Sequence, residues 1–147
     1  MVINMTRLPL PVRALGLGFV CGMRSLLGPA FVRRQIAAVS PLAATLLPIL
    51  SAGELIGDKL PGAPNRTILP SVVFRSASGA AVAASVYKAE QESPAVGAVL
   101  GIAGALAATY GVFYLRQAAS QRTALPNVAL GLIEDVAAYG IGRLMLR

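Results

Sequence analysis

The sequence predicts an all-α fold, a polytopic transmembrane helical bundle of about five spans forming a single domain over residues 1–147. Three observations lead there. Hydrophobic residues make up 56% of the chain and charged residues only 13%, against about 45–50% and about 25% in a soluble domain. The mean hydropathy is +0.69. Five apolar stretches are each long enough to cross a bilayer, which takes about 20 helical residues.

The first stretch covers residues 12–32 and is expected as one helix. Arg7 and Arg13 precede it, and Cys21 follows Gly18-Phe19-Val20. Phe19 and Val20 are too bulky for a processing site, which needs small residues before the cut, so no cleaved leader is expected. The second stretch, 36–58, is expected to be kinked or broken, because Pro41 and Pro48 each remove a backbone donor and Gly53 and Gly57 follow. One kinked helix and two half-helices in a re-entrant arrangement both fit that pattern. The third stretch is 68–87 and the fourth 94–115. In the fourth, Gly97 and Gly101 are spaced for close helix approach, as Gly18 and Gly22 are in the first. The fifth is 126–146. Short polar connectors join them: 33–35, 61–67, 88–93 and 116–125. None is long enough to form another domain.

The residue inventory excludes several chemistries. There is no His, so a histidine base, a Ser-His-Asp triad and a His-ligated metal are all ruled out. The single Cys21 excludes an internal disulfide and a cysteine metal cluster. No cofactor and no metal are expected, and an enzyme is the less favoured reading. The net charge is +7, but the basic residues are mostly single arginines between apolar runs and are not interleaved with aromatics. The lipid bilayer and its anionic headgroups are therefore the expected partners, and nucleic acid is not. Trp is absent, which leaves Tyr87, Tyr110, Tyr114 and Tyr139 to act at the interfaces.

Charges inside apolar stretches mark the candidate site. Arg24 sits within the first stretch and Arg75 about 10 Å into the third. Glu134 and Asp135 lie about 12–14 Å into the fifth. Each costs at least about 2.5–3.5 kcal/mol at the centre of a bilayer unless it is paired or faces a wet cavity. Arg24 or Arg75 is therefore expected to pair with Glu134 or Asp135. Adjacent helical residues point about 100° apart, so the two carboxylates cannot serve one partner. Glu54 and Asp58, four apart on one helix face, could bind a cation or relay a proton, with Lys59 beside them. Arg24, Glu54, Asp58, Lys59, Arg75, Glu134 and Asp135 together form the candidate substrate- or ion-binding set. Residues 24–28 and 75–79 both read R-S-x-x-G, a faint internal echo suggesting similar roles for the two arginines.

Four segments, GMRSLLGP (22–29), ELIGDKLP (54–61), FRSASGAA (74–81) and IEDVAA (133–138), resemble a bacterial membrane-protein family catalogued as domain of unknown function 4126. The resemblance covers about Gly16 to Ala138. It implies a polytopic protein of the bacterial inner membrane and no particular activity.

Three functions fit these features. The leading one is a small channel or secondary transporter working as a homo-oligomer, moving a small ion or a small polar or anionic substrate, with coupling to protons or cations through the carboxylates. The second is a protein that binds, moves or modifies lipids, its arginines holding a phosphate. The third is a non-catalytic membrane subunit. Under five alternating spans, Arg7, Arg13, Lys59, Arg66, Arg116 and Arg122 share one side, and Arg33, Arg34, Lys88, Arg143 and Arg147 share the other. That near-balance predicts a weakly fixed orientation, with a slight preference for a cytoplasmic amino terminus.

Overall fold

The computed structural model describes residues 8–33, 67–123 and 126–146, together with Pro41, Leu42, Thr45, Ile49 and Gly53. Among the described residues there are five helices and no strand: α1 (Leu10–Met23), α2 (Leu27–Phe31), α3 (Leu69–Ala89), α4 (Pro94–Arg122) and α5 (Asn127–Met145). Two of them, α3 and α4, are long and apolar enough to cross a membrane, and α1 is a shorter apolar helix. The irregularity expected at Pro48 and Gly57 lies outside the described residues.

Proline starts most of these helices. Pro11, Pro70 and Pro94 occupy the first two positions of α1, α3 and α4, where a missing N–H leaves nothing unsatisfied and the fixed φ suits a helix. At the other end of α3, Gln91 adopts φ 59°. The Glu92 amide donates to the Tyr87 carbonyl at 2.9 Å and the Gln91 amide to that of Lys88 at 3.1 Å. That pair of bonds is a Schellman ending.

α4 outruns its expected end at residue 115 by two turns. Residues 116–122, RQAASQR, are polar but contain no Pro or Gly, and Ala, Arg and Gln all favour helix. The helix stops at Thr123, whose hydroxyl donates back to the Ala119 carbonyl at 2.7 Å.

The largest departure from expectation lies in residues 12–32. They form two helices, not one continuous span. α1 ends at Arg24, whose backbone is extended (φ −140°, ψ 105°). After a turn at Ser25-Leu26, α2 folds back along α1. Gly28 packs against the Cys21 side chain. Phe31 lies against Gly142, and its ring centroid is 5.6 Å from that of Tyr139. Val32 joins the core of Leu17, Cys21 and Met145. The chain thus enters the bundle for about 21 Å, breaks, and returns toward the end where it began.

Helix directions follow from side-chain pairs. Arg13 near the start of α1 donates to Glu90 beyond the end of α3 at 2.8 Å and to the Met145 carbonyl of α5 at 3.1 Å. So α1 is antiparallel to α3 and α5, whereas strict alternation of five spans would make all three parallel. α4 runs parallel to α1 and forms the centre of the packing, against α1 on one side and α3 on the other. Its small residues allow this. A Cβ on Gly101 would collide with the Gly79 carbonyl of α3, and a Cβ on Gly18 or Gly22 of α1 with the carbonyl of Gly101 or Ala105. Gly97 likewise meets Ala83 and Tyr87. Backbones this close exchange dispersion contacts along their length.

The outer surface is apolar. Leu69 and Val73 of α3, Val99 and Leu115 of α4, and Val136 and Tyr139 of α5 are all exposed. Among the described residues Arg24, Arg75, Ser25, Ser78 and Thr109 are buried instead.

Candidate functional site

The interrupted first helix positions the site. A helix end leaves carbonyls with no intrahelical donor and carries partial negative charge. At the end of α1 those carbonyls belong to Gly22 and Met23, and they lie beside the middle of α4. Arg75, only 5% exposed, reaches across from α3 and donates Nη1 to both, at 2.9 Å each. Its Nε donates to the Ser71 hydroxyl one turn earlier at 3.2 Å, which fixes the fork. A permanent cation thus occupies the negative end of a half-helix.

Arg24 is the residue at which α1 stops. Its side chain is 1% exposed and points toward α5, where Nε lies 2.7 Å and Nη2 2.5 Å from Oδ1 of Asp135. The expected pairing of a mid-stretch arginine with one of the two carboxylates is therefore present. Glu134, on the next step of the helix, is directed to α4, with Oε2 3.6 Å from Nη1 of Arg116. The 100° between neighbouring side chains sends the two carboxylates to different helices.

Two hydroxyls complete the centre. Ser78 donates to the Ser25 carbonyl in the turn after the break. Thr109 of α4 donates to the Ala105 carbonyl at 2.8 Å, with the Gly22 carbonyl a further 3.4 Å from the same oxygen. The two R-S-x-x-G segments therefore meet each other, but their arginines do different work. Arg24 meets a carboxylate, and Arg75 meets carbonyls.

Of the sequence candidates, the structure brings together Arg24, Arg75 and Asp135 around the α1 break and sets Glu134 beside Arg116. Glu54, Asp58 and Lys59 lie outside the described residues. Sequence reasoning missed Arg116, Thr109, Ser78 and Ser25. Arg116 was assigned to a connector because the apolar run stops at Leu115, whereas a look at helix propensity over 116–122 would have kept it on α4. The R-S-x-x-G echo was the only hint at Ser25, and nothing singled out Thr109 from the small residues around it.

No family model matches the chain, and neither does any curated protein or solved structure. The functional reading rests on the geometry alone. Among the described residues no group of three or more Cys, Asp or Glu side chains could hold a metal ion. The centre offers two arginines, one carboxylate and hydroxyls.

Proposed function

We propose that the chain is a small polytopic protein of the bacterial inner membrane that moves a small ion or a small polar anion across the bilayer as a homo-oligomer. The observation that carries this reading is the α1 break. A half-helix ends in the middle of the bundle, its terminal carbonyls held by Arg75 and its capping Arg24 held by Asp135.

Discontinuous helices ending near the midplane are a recurring way for transport proteins to present a charged site. Non-helical backbone at that depth is tolerated only where protein or a polar cavity surrounds it. The inverted surface supports the bilayer setting, since exposed Leu, Val and Tyr cover the outside and Arg24 and Arg75 lie within. One subunit of this size leaves little room for a pathway and an enclosing wall, so a pathway between subunits is the simpler arrangement. Arg24 and Arg75 supply the attraction for an anionic group, and Asp135 and Glu134 supply the exchangeable carboxylates. Glu54, Asp58 and Lys59 are further candidates from sequence.

The test is flux. Purified protein reconstituted in phosphatidylcholine–phosphatidylglycerol vesicles should carry protons, chloride or potassium above protein-free vesicles, read with pH- and voltage-sensitive dyes. Arg75→Lys should alter which ion passes while the protein stays folded. Absence of flux for every ion would exclude this reading.

A second reading, binding of a lipid phosphate, is favoured by one specific feature, the groove between α4 and α5 that carries Arg116.

A further inference from the structure

α5 packs on α1 and α2, and its backbone stays away from that of α4 although only a short loop joins them. The space left between them is a groove of about 200 Å³. Its walls are Val112, Leu115 and Ala119 of α4 and Leu130 and Ile133 of α5, all apolar. The two charged side chains that line it are Arg116 and Glu134.

The position of Arg116 along α4 gives the groove its meaning. Residues 94–115 carry no charge. Twenty-two helical residues rise about 33 Å, close to the about 30 Å thickness of a hydrocarbon core. Arg116 is the first charged residue beyond that run, so on the membrane reading proposed above it sits at the depth of the headgroup phosphates. Leu115 and Val112 of the groove lie on its membrane side, Ile133 lies level with it, and Ala119 and Leu130 lie one turn nearer the Arg122 end. The Arg116 side chain is 28% exposed, and Glu134, 11% exposed, lies 3.6 Å from its guanidinium and holds it in place.

We infer that this groove is a binding site for an anionic phospholipid, with the headgroup phosphate on Arg116, flanked by Ala119, Leu130 and Ile133, and one acyl chain running down from it along Leu115 and Val112. Charge and shape both select this occupant. A guanidinium recognises phosphate oxygens with charge-assisted bonds, and the apolar side chains of Leu115 and Val112 continue from it toward the membrane interior as a chain attached to that phosphate would. A second copy of the protein would have to present a buried anion at headgroup depth to meet the same cation. Glu134 acts as a positioning residue here and does not touch the lipid.

The inference rests on the membrane reading, so the first measurement tests that reading by itself. The protein is reconstituted in phosphatidylcholine vesicles, extracted with carbonate and floated. Failure to float would remove the membrane reading and this inference with it. If it floats, native mass spectrometry of the detergent-purified protein compares retained phosphatidylglycerol with retained phosphatidylcholine. Wild type should retain phosphatidylglycerol preferentially. Arg116→Gln should weaken that retention about tenfold or more, as expected for one lost charge-assisted contact, and leave phosphatidylcholine unchanged. Ala119→Trp, which fills the slot, should reduce both lipids. Arg33→Gln, exposed beyond α2 and at the opposite end of the bundle, should change neither. Unaltered phosphatidylglycerol retention in Arg116→Gln, or in Ala119→Trp, would overturn the inference. So would a disulfide formed between copies at Ala119→Cys in the membrane, since it would show the groove covered by a second subunit.

Discussion

Asp135 accepts both Nε and Nη2 of Arg24 on a single oxygen, at 2.7 and 2.5 Å, across 111 residues of sequence. This contact ties the turn that ends α1 to the middle of α5. Arg24 is 1% exposed and Asp135 15%, so neither charge is stabilised by bulk water. Removing one partner of such a pair strands the other at a cost of about 3–5 kcal/mol, whereas replacing both with apolar residues of similar volume is often close to neutral. Arg24→Met and Asp135→Leu should each lower stability strongly, and the double variant should be less destabilised than the sum by at least about 1 kcal/mol. A denaturation cycle in detergent measures this directly. Additive effects would show that the two side chains are not coupled.

A second prediction concerns two glycines on the same helix. A Cβ on Gly101 would strike the Gly79 carbonyl, whereas one on Gly111 has nothing within 4 Å. Gly101→Ala should force α3 and α4 apart and cost about 1–3 kcal/mol. Gly111→Ala should stabilise by about 0.5–1 kcal/mol through helix propensity alone. Thermal melts of the two variants should move in opposite directions. Equal shifts would mean that the α3–α4 contact is looser than the Gly79–Gly101 approach requires.

These residues also show what was legible in the sequence. Apolar runs bounded by proline mark the starts of α3, α4 and α5 to within a residue or two, because Pro at the first turn is a local steric signal. The charges out of place, Arg24, Arg75, Glu134 and Asp135, identify the centre because burying charge in an apolar setting demands compensation. The spacing of Gly97 and Gly101 foretells close packing for a similar reason. The break at Arg24 was not legible. Residues 23–26 contain neither Pro nor Gly, and the chain turns there because Arg24 finds Asp135 and because Arg75 and Ser78 take the carbonyls the turn exposes. All three partners come from helices distant in sequence. Hydropathy counts residues without direction, so a hairpin of α1 and α2 and a single span look identical to it.

The end of α3 supplies a third prediction. Gln91 holds φ 59° to complete the Schellman ending, a conformation that costs an L-residue about 1–2 kcal/mol relative to its preferred regions. Glycine has no Cβ and takes that conformation readily, though its unfolded chain is more flexible. Gln91→Gly should therefore raise stability slightly, by up to about 1 kcal/mol, and Gln91→Val should lower it. Melting temperatures of both variants, with the Arg13–Glu90 contact intact, decide the matter. A Gly variant less stable than Gln would mean that the Gln91 side chain contributes more than its strain removes.

The last prediction is orientation, where the hairpin changes the arithmetic. Five alternating spans would place Arg13 and Arg33 on opposite sides. The return of α2 puts Arg33 at the same end as Arg13, because Val32 packs with Leu17 and Met145. Lys88 lies at that end near Glu90, the partner of Arg13, and Arg143 lies beside Met145 there. Arg116 and Arg122 lie at the opposite end. Among the described residues outside the centre the bias is thus four against two, and it favours the end where α1 begins. Basic residues close to helix ends are retained in the cytoplasm. The Arg13–Glu90 end should face the cytoplasm and the Arg122 end the outside. With Cys21→Ala as background, Gln121→Cys should react with a membrane-impermeant maleimide on intact cells, and Gln91→Cys should react only after the cells are opened. Labelling of Gln91→Cys on intact cells would reverse the assignment. Labelling of both positions would show that the chain inserts in two orientations and that this charge bias is too small to choose between them.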